Sequence, residues 1–292
     1  MQACDTIATN LPCKSAPMKS ELFEKDNPMK SLTIDDMKSL ELDIMDEIDQ
    51  VCREHGLAYF LGYGSLLGAV RHKGFIPWDD DMDILMPRKD YETFLANFQE
   101  WRHSNYYEVS FCRFKNSVHP FVKVIDKRTS VSERFIREEF KTGIWVDVFP
   151  LDDIPANKKQ VFRKHVWLTL KRDLSLSDPH DGTTKVAMLA KRVLVPFARH
   201  IDPVHSAILI DENAAHCTKT PSDSYIEIVS MGDPNLELPK RWFKPTYAPF
   251  EDRRYCIPSD AEAYLSHIYG DWKTPPPADQ RLKHTVEACF LD

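Results

Sequence analysis

Residues 78–83 read Trp78-Asp79-Asp80-Asp81-Met82-Asp83, and Asp81 follows a Gly64-Ser65 pair by sixteen positions. Extended backbone alternates its side chains, so Asp81 and Asp83 fall on one face, Asp79 shares their parity from a loop, and Asp80 points away. Two carboxylates one strand step apart can share a hard cation; Mg²⁺ takes oxygen ligands, usually one or two carboxylates together with substrate phosphates. A further acid, Asp147, stands alone in the apolar run Ile144–Phe149. A buried carboxylate is costly unless it is paired or bound to a metal. If its strand neighbours the first, Asp81, Asp83 and Asp147 suit the two-metal arrangement of phosphoryl transfer, with metals ~4 Å apart. Gly64-Ser65 ends a strand and opens a short helix, a setting whose backbone N–H groups suit a phosphate. Arg71 and Lys73 follow within reach of a diphosphate. Singly, each feature has an ordinary explanation: a solvated acidic loop, a plain glycine turn, a satisfied core polar residue. In this order and spacing they point to divalent-metal-dependent transfer of a nucleotide-activated phosphoryl group.

The elements that must position these residues follow from periodicity. Met37, Leu40, Ile44, Ile48 and Val51 recur at helical spacing, with Thr33 and Asp36 as an approximate capping box and Gly56 as the stop. Leu57–Tyr63 reads as a buried strand, Ser65–His72 as a short helix, Met82–Met86 as a strand and Asp90–Trp101 as a helix. Further strands are expected at Tyr107–Phe111, Phe121–Ile125 and Ile144–Phe149. The order implies an α/β (α+β) core with a mixed sheet. Residues 1–30 form a loose extension, 31–155 the catalytic core, and 156–292 a helical and α+β region that completes the site. From about 158 to 200 the pattern is helical and basic. A solvated face is the common reason for such a pattern, and a membrane-surface helix pair is the alternative.

Composition narrows the function classes. The 292 residues carry 38 Lys and Arg against 45 Asp and Glu, for a net charge of −7, which argues against nucleic acid as the main partner. The seven cysteines make no CxxC pair and no zinc-type cluster, so a reducing compartment is expected. No signal-peptide pattern and no apolar run of spanning length is apparent, which predicts a cytoplasmic protein with, at most, peripheral contact at the inner membrane face.

The run from Gly62-Tyr63-Gly64-Ser65 through Arg71-His72-Lys73-Gly74 to Trp78-Asp79-Asp80-Asp81-Met82-Asp83-Ile84 closely resembles the LicD family, which includes bacterial phosphocholine transferases and is related to the fukutin proteins. The resemblance continues through Phe121–Asp126, Trp145–Asp152 and Tyr269-Gly270-Asp271-Trp272, and so covers most of the chain from about residue 33. It implies a nucleotidyltransferase-like fold in which Gly64-Ser65 precedes the metal acids Asp81 and Asp83 and Asp147 supplies the third acid, with Asp126 and Asp152 competing for that role; strand parity, not the resemblance, adds Asp79 from the loop as a further metal ligand. The implied reaction is transfer of phosphocholine, or a similar phospho-alcohol, from CDP-choline or another CDP-alcohol to a hydroxyl of a glycan such as a lipopolysaccharide or teichoic-acid precursor, with release of CMP. Mg²⁺, or alternatively Mn²⁺, would be the cofactor, Ser65 would bind a phosphate oxygen, and Arg71 and Lys123 would offset charge on CMP. A choline headgroup wants an aromatic face; Trp145 is placed among the substrate-binding residues, with Trp78, Tyr225, Tyr269 and Trp272 also available. The alternative within the same chemistry is transfer of a nucleoside monophosphate from a triphosphate to a small molecule, releasing pyrophosphate.

Overall fold

The computed structural model describes residues 31–132, 142–177, 185–216, 221–230, 232–277, 281 and 287–291, so the expected extension at 1–30 lies outside the described residues. Helix α1 (Ile34–His55) opens on a complete capping box. The Thr33 hydroxyl accepts from the Asp36 N–H at 3.1 Å, and the Asp36 carboxylate accepts from the Thr33 N–H at 3.0 Å. The helix ends on Gly56 in the left-handed conformation, φ 67°. Its stripe of Met37, Leu40, Ile44, Met45, Ile48 and Val51 is buried against the sheet.

Strand β1 (Phe60–Leu61) has only two residues, shorter than the apolar run suggests, because the chain already turns at Gly62 into helix α2 (Tyr63–Arg71). Then follow β2 (Asp83–Pro87), α3 (Arg88–Trp101), β3 (Tyr107–Ser110), β4 (Val122–Ser132) and β5 (Thr142–Asp153). Strands β4 and β5 run well beyond their apolar centres. Their pairing extends past a register shift between Asp126 and Val131, through a stretch whose Lys127 and Arg128 hide the strand pattern. After α4 (Lys158–Leu176), α5 (Lys185–Ala198) and α6 (Pro203–Ala215) come β6 (Ser224–Ile226), β7 (Glu237–Pro239), β8 (Pro245–Phe250), β9 (Arg253–Pro258), α7 (Ala261–Tyr269) and β10 (Glu287–Phe290).

The main sheet is mixed, with the path β1-β2-β5-β4-β10; β3 also pairs with β4, and β6 joins β5 to β7. Among the described residues its one parallel pair is β2 with β5, and this pair sets Asp83 beside Asp147. The region after residue 155 therefore adds β6, β7 and β10 to the sheet as well as the helices. The hairpin β8–β9 forms a separate two-stranded sheet.

A buried ion network ties the later helices to the core. Arg88 grips Asp152 with two bonds, 2.7 and 2.8 Å, and reaches Asp211 of α6 at 3.0 Å. Arg113 joins from the other side, 2.6 Å from both Asp211 and Glu92. Arg88 is 5% exposed and both aspartates are at 0%, so loss of the arginine would strand the Asp152 carboxylate and leave Asp211 to Arg113 alone. Arg88→Met is expected to cost about 3–5 kcal/mol, the usual penalty for breaking a buried ion pair from one side. Urea unfolding measures it, and a loss below ~1 kcal/mol would show that the network is not a clamp.

Candidate active site

The end of the parallel pair gathers the acids. Asp83 opens β2, and its backbone is held on both sides by the turn before α2. Its N–H donates to the Ser65 hydroxyl at 2.8 Å, and its carbonyl accepts from the Gly62 N–H at 2.9 Å. Asp147 of β5 donates its N–H to the Met82 carbonyl at 2.9 Å. On the far side of Asp147, the antiparallel register sets Lys123 of β4 directly opposite. Asp83, Asp147 and Lys123 thus form a row across three strands on one sheet face. The Lys123 ammonium lies 3.1 Å from the Asp147 carboxylate and 3.8 Å above the Trp145 ring.

Upstream of β2 the run keeps strand-like alternation although it is not in the ladder. Asp79, Asp81 and Asp83 are partly exposed, while Asp80 and Met82 are buried. A methyl group at Gly64 would sit 2.6 Å from an Asp79 carboxylate oxygen, so glycine lets this acid approach the first turn of α2. The first N–H groups of a helix have no acceptor within it and favour an anion. The loop leading into the run is pinned by the β8–β9 turn, where the Glu251 carboxylate accepts from the Phe75 N–H at 2.9 Å and the Glu251 N–H donates to Lys73 at 2.7 Å.

Negative charge dominates this corner. Loss of hydration, then Asp81, Asp147 and Asp79, push the Asp83 carboxyl well above the usual carboxylate range, and Lys123 only partly opposes them. Glu41 of α1, 4% exposed, is raised in the same way by burial, then by Asp81, Asp80 and Asp83. Its Oε2 is buried with no hydrogen-bond partner among the described residues. Tyr269, at the end of α7, has its phenol raised by desolvation and by Asp83, Asp79 and Asp81. Arg71 stands beside this tyrosine and donates to the Trp272 carbonyl, which connects α2 to the Tyr269–Trp272 segment.

The competing acids are otherwise engaged. Asp152 is locked to Arg88, and Asp126, fully buried, is gripped by Arg128 on its own strand. Of the five aromatic candidates, four carry a cation from the chain itself: Lys123 over Trp145, Arg281 over Trp78 at 4.2 Å, Lys240 over Tyr225 at 4.8 Å and Lys273 over Trp272 at 5.1 Å. That face of Trp145 is therefore taken. Among the described residues no cation lies over Tyr269, which is 43% exposed beside the acids.

Sequence reasoning missed Glu41, although there was a signal. It sits four residues after Met37 and three before Ile44, on the core stripe of α1, where a charge is out of place. It also missed Tyr63, which enters α2 at φ 41°, unusual for a non-glycine residue. The Tyr63 hydroxyl donates to the buried Glu227 at 3.3 Å, and its N–H donates to the Tyr264 hydroxyl at 3.4 Å. No local pattern announces either long-range partner.

Among the described residues no three His, Cys, Asp or Glu side chains are gathered closely enough to hold a metal ion by themselves. The donors are all carboxylate oxygens, and burial followed by their mutual repulsion raises Asp83, a condition that a hard cation would relieve. The set fits a cation shared with substrate phosphates rather than one caged by protein alone.

The sequence matches the family described as "LicD/FKTN/FKRP, nucleotidyltransferase domain" over residues 56–196. It is 30% identical over 281 residues to the Lipopolysaccharide cholinephosphotransferase LicD of Haemophilus influenzae, covering 90% of this chain and all of that one. The chain belongs to the LicD family. It is accordingly an enzyme of the transferase class. An uncharacterized protein of Rickettsia prowazekii is 28% identical over 151 residues, 50% of this chain and 51% of its own, and one of Rickettsia typhi is 34% identical over 79 residues, 26% of each. The LicD domain match takes in the acid run, Lys123 and Asp147; Glu41 and Tyr269 lie outside it.

Glu41 offers a test of the electrostatics. Because its folded-state pKa is raised, the folded protein binds more protons than the unfolded chain above the ordinary glutamate value of about 4.3. In EDTA, stability should fall as pH rises through that window. Glu41→Gln should match the parent near pH 4 and become progressively more stable than it toward pH 8, as read by urea unfolding. A variant less stable than the parent at pH 8 would mean that the carboxylate makes a stabilising contact.

Proposed function

We propose that the chain transfers phosphocholine from a CDP-activated donor to a hydroxyl of a lipopolysaccharide-type glycan, releasing CMP. The observation that carries this reading is the row Asp83–Asp147–Lys123 at the end of the parallel strands, facing the helix turn at Gly64-Ser65. Its support for the group transferred is the similarity to the Haemophilus influenzae protein, which spans that protein's whole length.

In the proposed reaction the acceptor oxygen attacks the phosphorus distal to cytidine, the bond to the CMP oxygen breaks, and that oxygen keeps the electron pair. Asp81 and Asp83, with Asp79 nearby, would hold Mg²⁺ or Mn²⁺, which supplies charge neutralisation of the diphosphate. The first turn of α2 at Gly64 and Ser65 offers backbone N–H groups to a phosphate oxygen. Ser65 already accepts from Asp83, and its hydroxyl proton is what it can give a phosphate. Asp147, next to Asp83 in register, is suited to take the acceptor's proton, and Lys123 stabilises its charged form. Arg71 offsets charge on the leaving CMP. Tyr269 gives the trimethylammonium an aromatic face in an anionic setting, better suited to it than the covered face of Trp145. The chemistry is therefore positioning and charge stabilisation.

The family's description as a nucleotidyltransferase domain favours one second reading, transfer of a nucleoside monophosphate with release of pyrophosphate. Product analysis separates the two: CMP supports the first and pyrophosphate the second. Teichoic-acid precursors remain acceptors to be assayed alongside lipopolysaccharide, and a cytoplasmic location belongs to the same proposal.

Asp81→Asn and Asp83→Asn are each expected to lower kcat by about 10³-fold or more, with the thermal midpoint within a few degrees of the parent. Near-normal turnover of either purified variant with Mg²⁺ would sink the assignment. CDP-choline with Mg²⁺ is expected to raise the thermal midpoint. A shift with CDP-ribitol or CDP-glycerol, and none with CDP-choline, would replace choline as the transferred group.

A further inference from the structure

Residues 158–200 carry ten Lys and Arg against three Asp, a net of +7 in a chain whose total is −7, so the remainder holds −14. This basic segment contains α4 and α5, which pack on each other, while α4 packs in turn on α6. Helix α4 buries Phe162, His165 and Leu168 yet leaves Trp167 56% and Leu170 49% exposed. In α5, Leu189, Val193 and Phe197 recur every fourth residue and are 66%, 59% and 75% exposed. Large apolar side chains repeated along one helix stripe are not scattered surface residues; they form a face with something to cover it. Around them stand the exposed Arg163, Lys164, Arg192 and Arg199, and the Lys171 ammonium lies 5.1 Å over the Trp167 ring.

We propose that this face of α4 and α5 docks on an anionic lipid bilayer, with Trp167, Leu189, Val193 and Phe197 entering the headgroup region and the flanking Lys and Arg meeting lipid phosphates. Charge complementarity selects this occupant: a helix with an apolar stripe and a basic border lies in the plane of an anionic interface. Among the described residues no single helix is long and apolar enough to cross a membrane. Lys191–Ala198 and Pro203–Ala215 pass such a test only as a pair bent by 86°, and α6 is committed to the core through Asp211, Ile210 and Ala214. The helix pair therefore lies on the membrane rather than spanning it. The inference deepens the proposed function by stating how the enzyme reaches a lipid-linked acceptor, and it rests on that reading only for its purpose.

The test uses the full chain and vesicles, with neither donor nor acceptor, so its failure is distinct from failure of the transferase reading. The parent should co-sediment with phosphatidylglycerol/phosphatidylcholine vesicles, bind pure phosphatidylcholine about tenfold less or weaker, and release as salt rises. Brominated lipid should quench its tryptophan fluorescence, and Trp167→Phe should remove most of that quenching. Leu189→Glu/Phe197→Glu should abolish vesicle binding while keeping the circular-dichroism melting point and the transfer rate to a delipidated acceptor. Binding unaffected by this double variant, or no binding of the parent at low salt, overturns the proposal. A dimer in light scattering that the variant dissociates, without vesicle binding by the parent, likewise overturns it and assigns the face to a second copy.

Discussion

The parallel pairing of β2 with β5 is the constraint on which the site depends. It sets Asp83 and Asp147 side by side, where two carboxylates repel, and the run before β2 brings Asp79 and Asp81 to the same corner. A sheet edge would let such groups splay into water. Here β2 and β5 are interior strands flanked by β1 and β4, and Asp83's backbone is fixed by Ser65 and Gly62. Register, once set by the buried Ile84, Met86, Val146 and Val148, cannot slip by one residue without turning those apolar side chains outward. The core thus forces the acids together.

The same fold treats its other buried acids differently, and the contrast separates structure from chemistry. Asp152 and Asp211 share Arg88, and Asp126 has Arg128; each arginine offers a planar fork that satisfies the carboxylate in place. Among the described residues the site acids meet the buried Lys123, an ammonium divided between Asp147 and the Trp145 ring. Lys123 only partly opposes the acids around Asp83, whereas Asp152, Asp211 and Asp126 are each held by an arginine. Such an imbalance is what a functional site retains and a purely structural network removes.

Much of this was legible in the sequence because it was local. The capping box at Thr33 and Asp36, the stop at Gly56 and the order of elements through Phe149 follow from spacing within one turn or one strand, and strand parity already separated Asp80 from Asp79, Asp81 and Asp83. What spacing does not carry is pairing. Nothing near Asp147 tells that its neighbour is Asp83 rather than Lys123 alone, and Asp126 and Asp152 look equivalent to it until their arginines are seen. The two-residue β1 is a similar case, since Leu57–Leu61 has the composition of a longer strand but only Phe60 and Leu61 find partners in Leu85 and Ile84. Glu41, Glu251 and Tyr269 reach the site from α1, the β8–β9 turn and α7, far apart in the chain.

The charge balance also bears on the proposed reaction, whose donor is a nucleoside diphosphate. Its two phosphates would approach a corner crowded with carboxylates, where burial and then the neighbouring acids raise Asp83. Coulomb repulsion in a partly desolvated pocket is several-fold stronger than in water, so under the proposed function a donor that carries a cation would be favoured over the bare diphosphate. The helix turn at Gly64-Ser65 works in the same sense. Glycine at position 64 leaves room for the Asp79 carboxylate beside the first turn of α2, so a phosphate bound there would meet that acid. The acid run and the glycine turn, sixteen residues apart, thus act on one corner: under the proposed function a donor phosphate would be drawn to the turn and repelled by the acids unless a cation came with it.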